Sequence, residues 1–147
     1  FCTPYLMPGD DLVDAMIMAA QRGVDVRIMM PGIPDKKLIF RMSHSFYQEL
    51  LMGGVKIYEY IPGFLHAKSC VIDGKLATVG SVNLDHRSLF LQFENNSLFY
   101  RSSIADEVRK DFLATQERCR EIDPYNQTQY AFRLVFDGIL RIFAPLC

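Results

Sequence analysis

Apolar residues recur along this chain in two alternating rhythms. Leu12, Val13, Met16, Ala19 and Ala20 fall at helical spacing. Asp10 and Asp11 precede them as an N-cap signal, and Gly23 follows as a stop. Val24, Val26, Ile28 and Met30 then alternate, as on a strand, before the Pro31-Gly32 turn. A second helix is expected through Leu38, Phe40, Phe46, Tyr47, Leu50 and Leu51, capped by Asp35 and closed by Gly53-Gly54. Val55 to Tyr60 reads as the next strand, with Pro62-Gly63 as its turn. His66 to Ile72 and Lys75 to Val79 read as two strands joined by an Asp73-Gly74 hairpin signal. A loop is expected from Gly80 to Ser88 and a strand from Phe93 to Tyr100. A helix follows from Ile104 to Cys119, with Val108, Phe112 and Leu113 on one side. Helices alternating with strands, plus one hairpin, predict an α/β fold, a mixed β-sheet flanked by helices.

The polar stretch Glu121 to Gln129 is the weakest seam, and it separates a domain at 1–123 from an apolar helical tail at 124–147. In that tail Arg133, Asp137 and Arg141 are spaced for a single charged stripe. Nearly everything between them is apolar, so the tail is expected to bury most of its surface. It does so against this domain, against a missing half, or in a membrane interface.

The chain has 147 residues, a one-domain length. Half of them are hydrophobic and 22% are charged, which excludes a disordered chain. The net charge of -1 argues against a strongly cationic nucleic-acid binder. No apolar run reaches the roughly 18 residues of a membrane span. The opening Phe1-Cys2-Thr3-Pro4-Tyr5 reads like the end of a strand, so the chain is expected to be a piece of a longer one. Cys2, Cys70, Cys119 and Cys147 show no C-x-x-C spacing and read as ordinary thiols.

The informative stretch is His66-Ala67-Lys68-Ser69-Cys70-Val71-Ile72-Asp73, in outline H-x-K-x4-D, followed by Gly80-Ser81-Val82-Asn83. On a strand, residues two apart share a face, so His66 and Lys68 point the same way. Asp73 falls on the turn and reads as a turn former rather than a site residue. The hairpin brings Ser81 and Asn83 back toward His66 and Lys68. An imidazole, an ammonium, a hydroxyl and an amide then converge, which suits a phosphate diester. Lys68 supplies charge, Ser81 and Asn83 supply directional donors, and His66 attacks phosphorus or protonates a leaving oxygen. Glu94 is the candidate carboxylate for orienting His66. Arg87 either binds a second phosphate or pairs with Asp85. Phe64, Leu65, Leu89 and Phe90 flank the motif, either as core or as a greasy pocket mouth.

His66, Lys68, Asp73, Gly80, Ser81 and Asn83 match the HKD signature, and in them the chain resembles the phospholipase D superfamily. Thr3-Pro4-Tyr5, Arg22 to Arg27, Ile57 to Tyr60, Gly63 to Lys68 and Gly80 to Ser88 bring it nearer to bacterial cardiolipin synthases, specifically their C-terminal catalytic half. The resemblance implies a site built from two HKD motifs across a pseudo-two-fold axis, with a phosphohistidine intermediate and without metal or cofactor. The second motif would come from the same parent chain or from a homodimer partner, because His44 and His86 both lack the following lysine. It further implies that His66 is the general acid and base, that the substrate is phosphatidylglycerol, and that the partner surface is a membrane rather than a nucleic acid. The parent protein would sit at the cytoplasmic side of the bacterial cell membrane. The alternatives are a phospholipase D-type phosphodiesterase or nuclease, and a non-catalytic domain for membrane docking or dimerisation.

Overall fold

A computed structural model describes residues 1–125 together with Gly138 and Arg141. A short strand β1 (Leu6–Met7) leads through Gly9 into α1 (Asp10–Gln21). Gly9, not Asp10, is the N-cap, and Asp10 and Asp11 lie in the first turn, where carboxylates favour the positive helix end. Strand β2 (Arg27–Pro31) is followed by α2 (Lys37–Ser45), α3 (Tyr47–Met52) and β3 (Lys56–Tyr60).

The single helix expected over this second stretch is thus two. Ser43 Oγ is turned inward to accept from Leu6 N (3.0 Å), and Ser45 Oγ donates back to Met42 O (2.6 Å), so local hydroxyl bonds compete with the helix at Phe46. Asp35 does not cap α2 either. Its carboxylate accepts from the Tyr5 hydroxyl (2.5 Å) and the Lys36 amide (2.6 Å), and Lys36 holds the cap position.

The hairpin β4 (Ser69–Ile72) and β5 (Leu76–Gly80) comes next, then β6 (Leu84–Asp85) and a short helix α4 (His86–Phe90). Strand β7 (Asn96–Tyr100), helix α5 (Ser103–Gln116) and β8 (Cys119–Glu121) complete the described chain. The β6–α4 pair occupies the stretch read as a loop. Asp73 and Gly74 carry positive φ angles of 53° and 64°, and Lys75 N donates to Ile72 O (3.0 Å), so Asp73 is a turn former, as expected.

Two three-stranded ladders, β2-β3-β8 and β4-β5-β7, form the sheet. Cys2 welds them, bridging Met29 in parallel and Ser69 antiparallel. Strands β2 and β3 are parallel, while β4, β5, β7 and β8 pair antiparallel, which gives the mixed sheet the pattern predicted. The core packs Leu6, Ile28, Met30, Val55 and Ile57 against Val13 and Met16 of α1, Met42 of α2 and Tyr47 and Leu50 of α3. Each such side chain contributes about 1.5–3 kcal/mol when fully buried. Cys2 is buried, and Cys70 and Cys119 are free and half-buried.

No helix among the described residues is long and apolar enough to cross a membrane. Most of the tail from Tyr130 to Phe143 lies outside the described residues. Arg141 is within them, and its guanidinium pairs with Glu49 (2.8 Å) and lies 4.2 Å from the centre of the Phe46 ring.

Candidate active site

Strand β4 begins at Ser69, not at His66. Its partner β5 ends at Gly80, whose amide donates to Lys68 O (3.2 Å), so nothing on that strand remains to pair with His66 and Ala67. His66 and Lys68 therefore stand on the extended approach to the hairpin. They still share a side, with Lys68 Nζ 3.1 Å from His66 Nε2 and donating to His66 O at 2.9 Å. The rings of Phe64 and Tyr5 flank the imidazole, with centroids 5.6 Å and 6.4 Å away.

Beyond β5 the chain crosses back at close quarters. A Cβ on Gly80 would meet Asn96 Oδ1 at 2.0 Å and Asn95 O at 2.1 Å, so only glycine fits here. That approach lets Ser81 N donate to Asn95 O (3.1 Å) and Asn95 N donate to Ser81 Oγ (2.9 Å). Leu84 N donates to the buried Thr3 Oγ1 (3.1 Å), and Leu84 pairs with Leu6, which ties the Ser81–Leu84 segment to the start of the chain.

His66, Lys68, Gly80 and Ser81 open onto one cavity of about 740 Å³. Its opposite wall is α5, through Ile104, Glu107, Val108 and Asp111. Sequence reasoning missed these α5 residues, although their spacing of three, one and three is one helix face. The sequence sets Val108, Phe112 and Leu113 on one side of this helix, yet Phe112 and Leu113 line a separate apolar cavity of about 480 Å³ between α1 and α5. Asp73 lines that second cavity, away from His66.

Glu94 does not follow the expected arrangement. It precedes β7 rather than lying on it, and its carboxylate accepts from Ser81 Oγ instead of His66. Hydrogen bonds from Ser81 and Ser88, aided by the charge of Lys68, hold its carboxyl below the usual range. Asn83 Nδ2 donates to Ser88 Oγ (3.2 Å), so Asn83, Ser88, Glu94 and Ser81 form one chain of hydrogen bonds behind the cavity. With its amide nitrogen turned toward Glu94, Gln92 donates to Oε1 (3.3 Å) and accepts from Arg87 (3.2 Å), extending the chain to Arg87. Asp85 is buried and accepts from Ser88 N (2.7 Å) as the α4 N-cap, rather than pairing with Arg87. Burial lowers the Lys68 ammonium's hold on its proton, while Glu94 and Asp85 oppose that shift. Phe64, Leu89 and Phe90 are exposed and not core. Among the described residues, no three His, Cys, Asp or Glu side chains gather to hold a metal ion.

The mixed sheet flanked by helices is the fold of phospholipase D family proteins. The phosphatidylserine synthase of Haemophilus influenzae Rd KW20 superposes on the chain with a TM-score of 0.73 at 15% identity, covering 99% of this chain and 41% of that one. Nuc, a phospholipase D family member from Salmonella typhimurium, superposes with a TM-score of 0.70 at 18% identity, covering 82% and 78%. Residues 1–115 match the family described as cardiolipin synthase, PLD-like domain, and the chain belongs to that family. A cardiolipin synthase of Geobacillus thermodenitrificans (strain NG80-2) is 41% identical over 145 residues, 98% of this chain. The chain spans 29% of the length of that relative.

Proposed function

We propose that this chain supplies one half of a two-motif active site that transfers a phosphatidyl group, joining two phosphatidylglycerol molecules into cardiolipin with release of glycerol. The observation that carries the reading is the His66–Lys68 pair, 3.1 Å apart and opening with Ser81 onto one cavity. Membership in the cardiolipin synthase, PLD-like domain family supports it. The other half is a second HKD motif, from elsewhere in a longer parent protein or from a second copy.

In the first displacement, the histidine nitrogen of the other half attacks phosphorus. The P–O bond to glycerol breaks, and His66 gives the departing oxygen its proton. In the second, the free hydroxyl of another phosphatidylglycerol attacks. His66 takes its proton and the N–P bond breaks. Splitting one displacement into two easier ones is the general benefit of covalent catalysis. Lys68 stabilises the phosphoryl oxygens by charge, while Ser81 and Asn83, whose donors go to Glu94 and Ser88, brace the carboxylate beside it. Arg87 contributes a second cation near the headgroup. A nuclease reading is disfavoured by the net charge of -1, which argues against the strongly cationic surface that a polyanion needs.

The test is phosphatidyl transfer by the full-length parent protein. His66→Ala should abolish cardiolipin formation while the fold is kept. Unchanged transfer by a folded His66→Ala protein would overturn the assignment.

A further inference from the structure

Strands β2 and β3 run parallel and end side by side, where Gly32 N donates to Tyr60 O (2.8 Å). Ligand sites of open α/β sheets lie outside such carboxyl ends. Here the two exits carry a cluster that the proposed chemistry does not use. Residues 33–38 are exposed without interruption, Ile33-Pro34-Asp35-Lys36-Lys37-Leu38. The neighbouring exit carries Ile61, Pro62 and Phe64, also exposed. Ile33, Leu38, Ile61 and Phe64 are large apolar side chains between 38% and 57% exposed. Lys36 and Lys37 stand among them, and Arg118 lies over Tyr60 at the same end, 5.4 Å from the ring centre. The acid of the cluster, Asp35, is occupied by the Tyr5 hydroxyl and the Lys36 amide.

We propose that these two strand exits form a docking surface for an anionic phospholipid bilayer, with Ile33, Leu38 and Ile61 entering the headgroup boundary and Lys36 and Lys37 meeting lipid phosphates. Apolar side chains interleaved with lysines are the composition that binds such interfaces. The chain as a whole carries a charge of -1, so the positive sign is local to this surface. A second copy docked on the same surface by two-fold symmetry would set lysines against lysines, which disfavours self-association there. The surface is also coupled to the site. Phe64 packs beside His66, and Tyr5 reaches from Asp35 to the edge of the same imidazole. Seating it on a bilayer therefore brings His66 to the level of the headgroups. This inference deepens the phospholipid reading and rests on it.

The experiment is co-flotation of the chain with vesicles of phosphatidylcholine alone or mixed with phosphatidylglycerol. Binding is expected on the mixed vesicles and weakens as salt rises. Lys36→Gln combined with Lys37→Gln should weaken it about thirtyfold, and Ile33→Asp with Leu38→Asp should abolish it. All four positions are exposed, and circular dichroism should show the fold kept. Phe93→Asp, on the exposed segment before β7, should leave binding unchanged. Equal binding by the lysine or Ile33/Leu38 variants, loss of binding in Phe93→Asp alone, or absence of binding by the unaltered chain would each overturn the proposal. Vanadate binding at His66 should survive the Lys36 and Lys37 changes, so a failed docking surface is distinguishable from a failed phosphate site.

Discussion

The ammonium of Lys68 stands 3.1 Å from Nε2 of His66 and is pinned by the carbonyl of the same histidine. An ammonium has no lone pair, so the imidazole accepts at Nε2 and a neutral ring carries its proton on Nδ1. Backbone order thus delivers charge and a proton-transfer group to one spot, although neither residue lies on a regular strand.

Glu94 acts on Lys68 through space. Its negative charge raises the lysine's hold on its proton, against the burial that lowers it. Removing that charge in Glu94→Gln leaves burial less opposed. The Lys68 pKa should therefore fall further, read as a downward shift in the NMR titration of its side chain. An unchanged titration would show that the two groups are not coupled.

Gly80→Ala should destabilise the chain by about 1–3 kcal/mol, because the added methyl meets the Asn95 and Asn96 backbone and the Asn96 amide rather than a yielding side chain. Urea unfolding measures it. Separation of the Ser81–Asn95 contacts should accompany it, visible as faster amide exchange at both residues.

Asp85→Ala removes the bond that the buried carboxylate accepts from Ser88 N (2.7 Å). The expected cost is about 1 kcal/mol, typical of a lost N-cap. That is a fall of about 4 °C in melting temperature for a domain of this size. Because Ser88 also links Asn83 to Glu94, phosphate binding should weaken alongside the thermal shift.

Glu59 is buried and held by His44 Nε2 (2.8 Å) and Arg120 (2.6 Å). Burial alone would raise its carboxyl, but those hydrogen bonds outweigh it and the value lies below the ordinary 4.5. Its stabilisation is complete above the unfolded value and is lost as pH falls through the lower, folded one. Glu59→Gln should cost about 1–3 kcal/mol at neutral pH and flatten the decline of stability below pH 4.5. A variant with the unaltered protein's acid profile would contradict this.

The hydrophobic rhythm made most of the fold legible: α1, β2, β3, the hairpin and α5 stand where the apolar spacing put them, although β2 and β3 bury consecutive residues on both faces. Breaks made by single polar bonds were not legible. Ser43 looks like any helix serine until its hydroxyl meets Leu6 N, and the split at Phe46 follows from that. At the site, the i, i+2 spacing placed His66 and Lys68 together. Glu94 was misassigned to His66 because the Gly80 crossing, which delivers Ser81 to that carboxylate first, depends on a close backbone approach with no periodic signal. Glu107 and Asp111 carry no sign of the cavity in the sequence, because nothing local reveals that α5 walls it.

The most direct measurement is a titration of the chain with orthovanadate, followed at the His66 ring resonances by NMR. Saturable shifts are expected in the unaltered chain, with binding about tenfold or more weaker in Lys68→Ala, as for loss of a charged hydrogen bond. His66 resonances that never move, or a Lys68→Ala chain that binds as tightly as the unaltered one, would contradict the account.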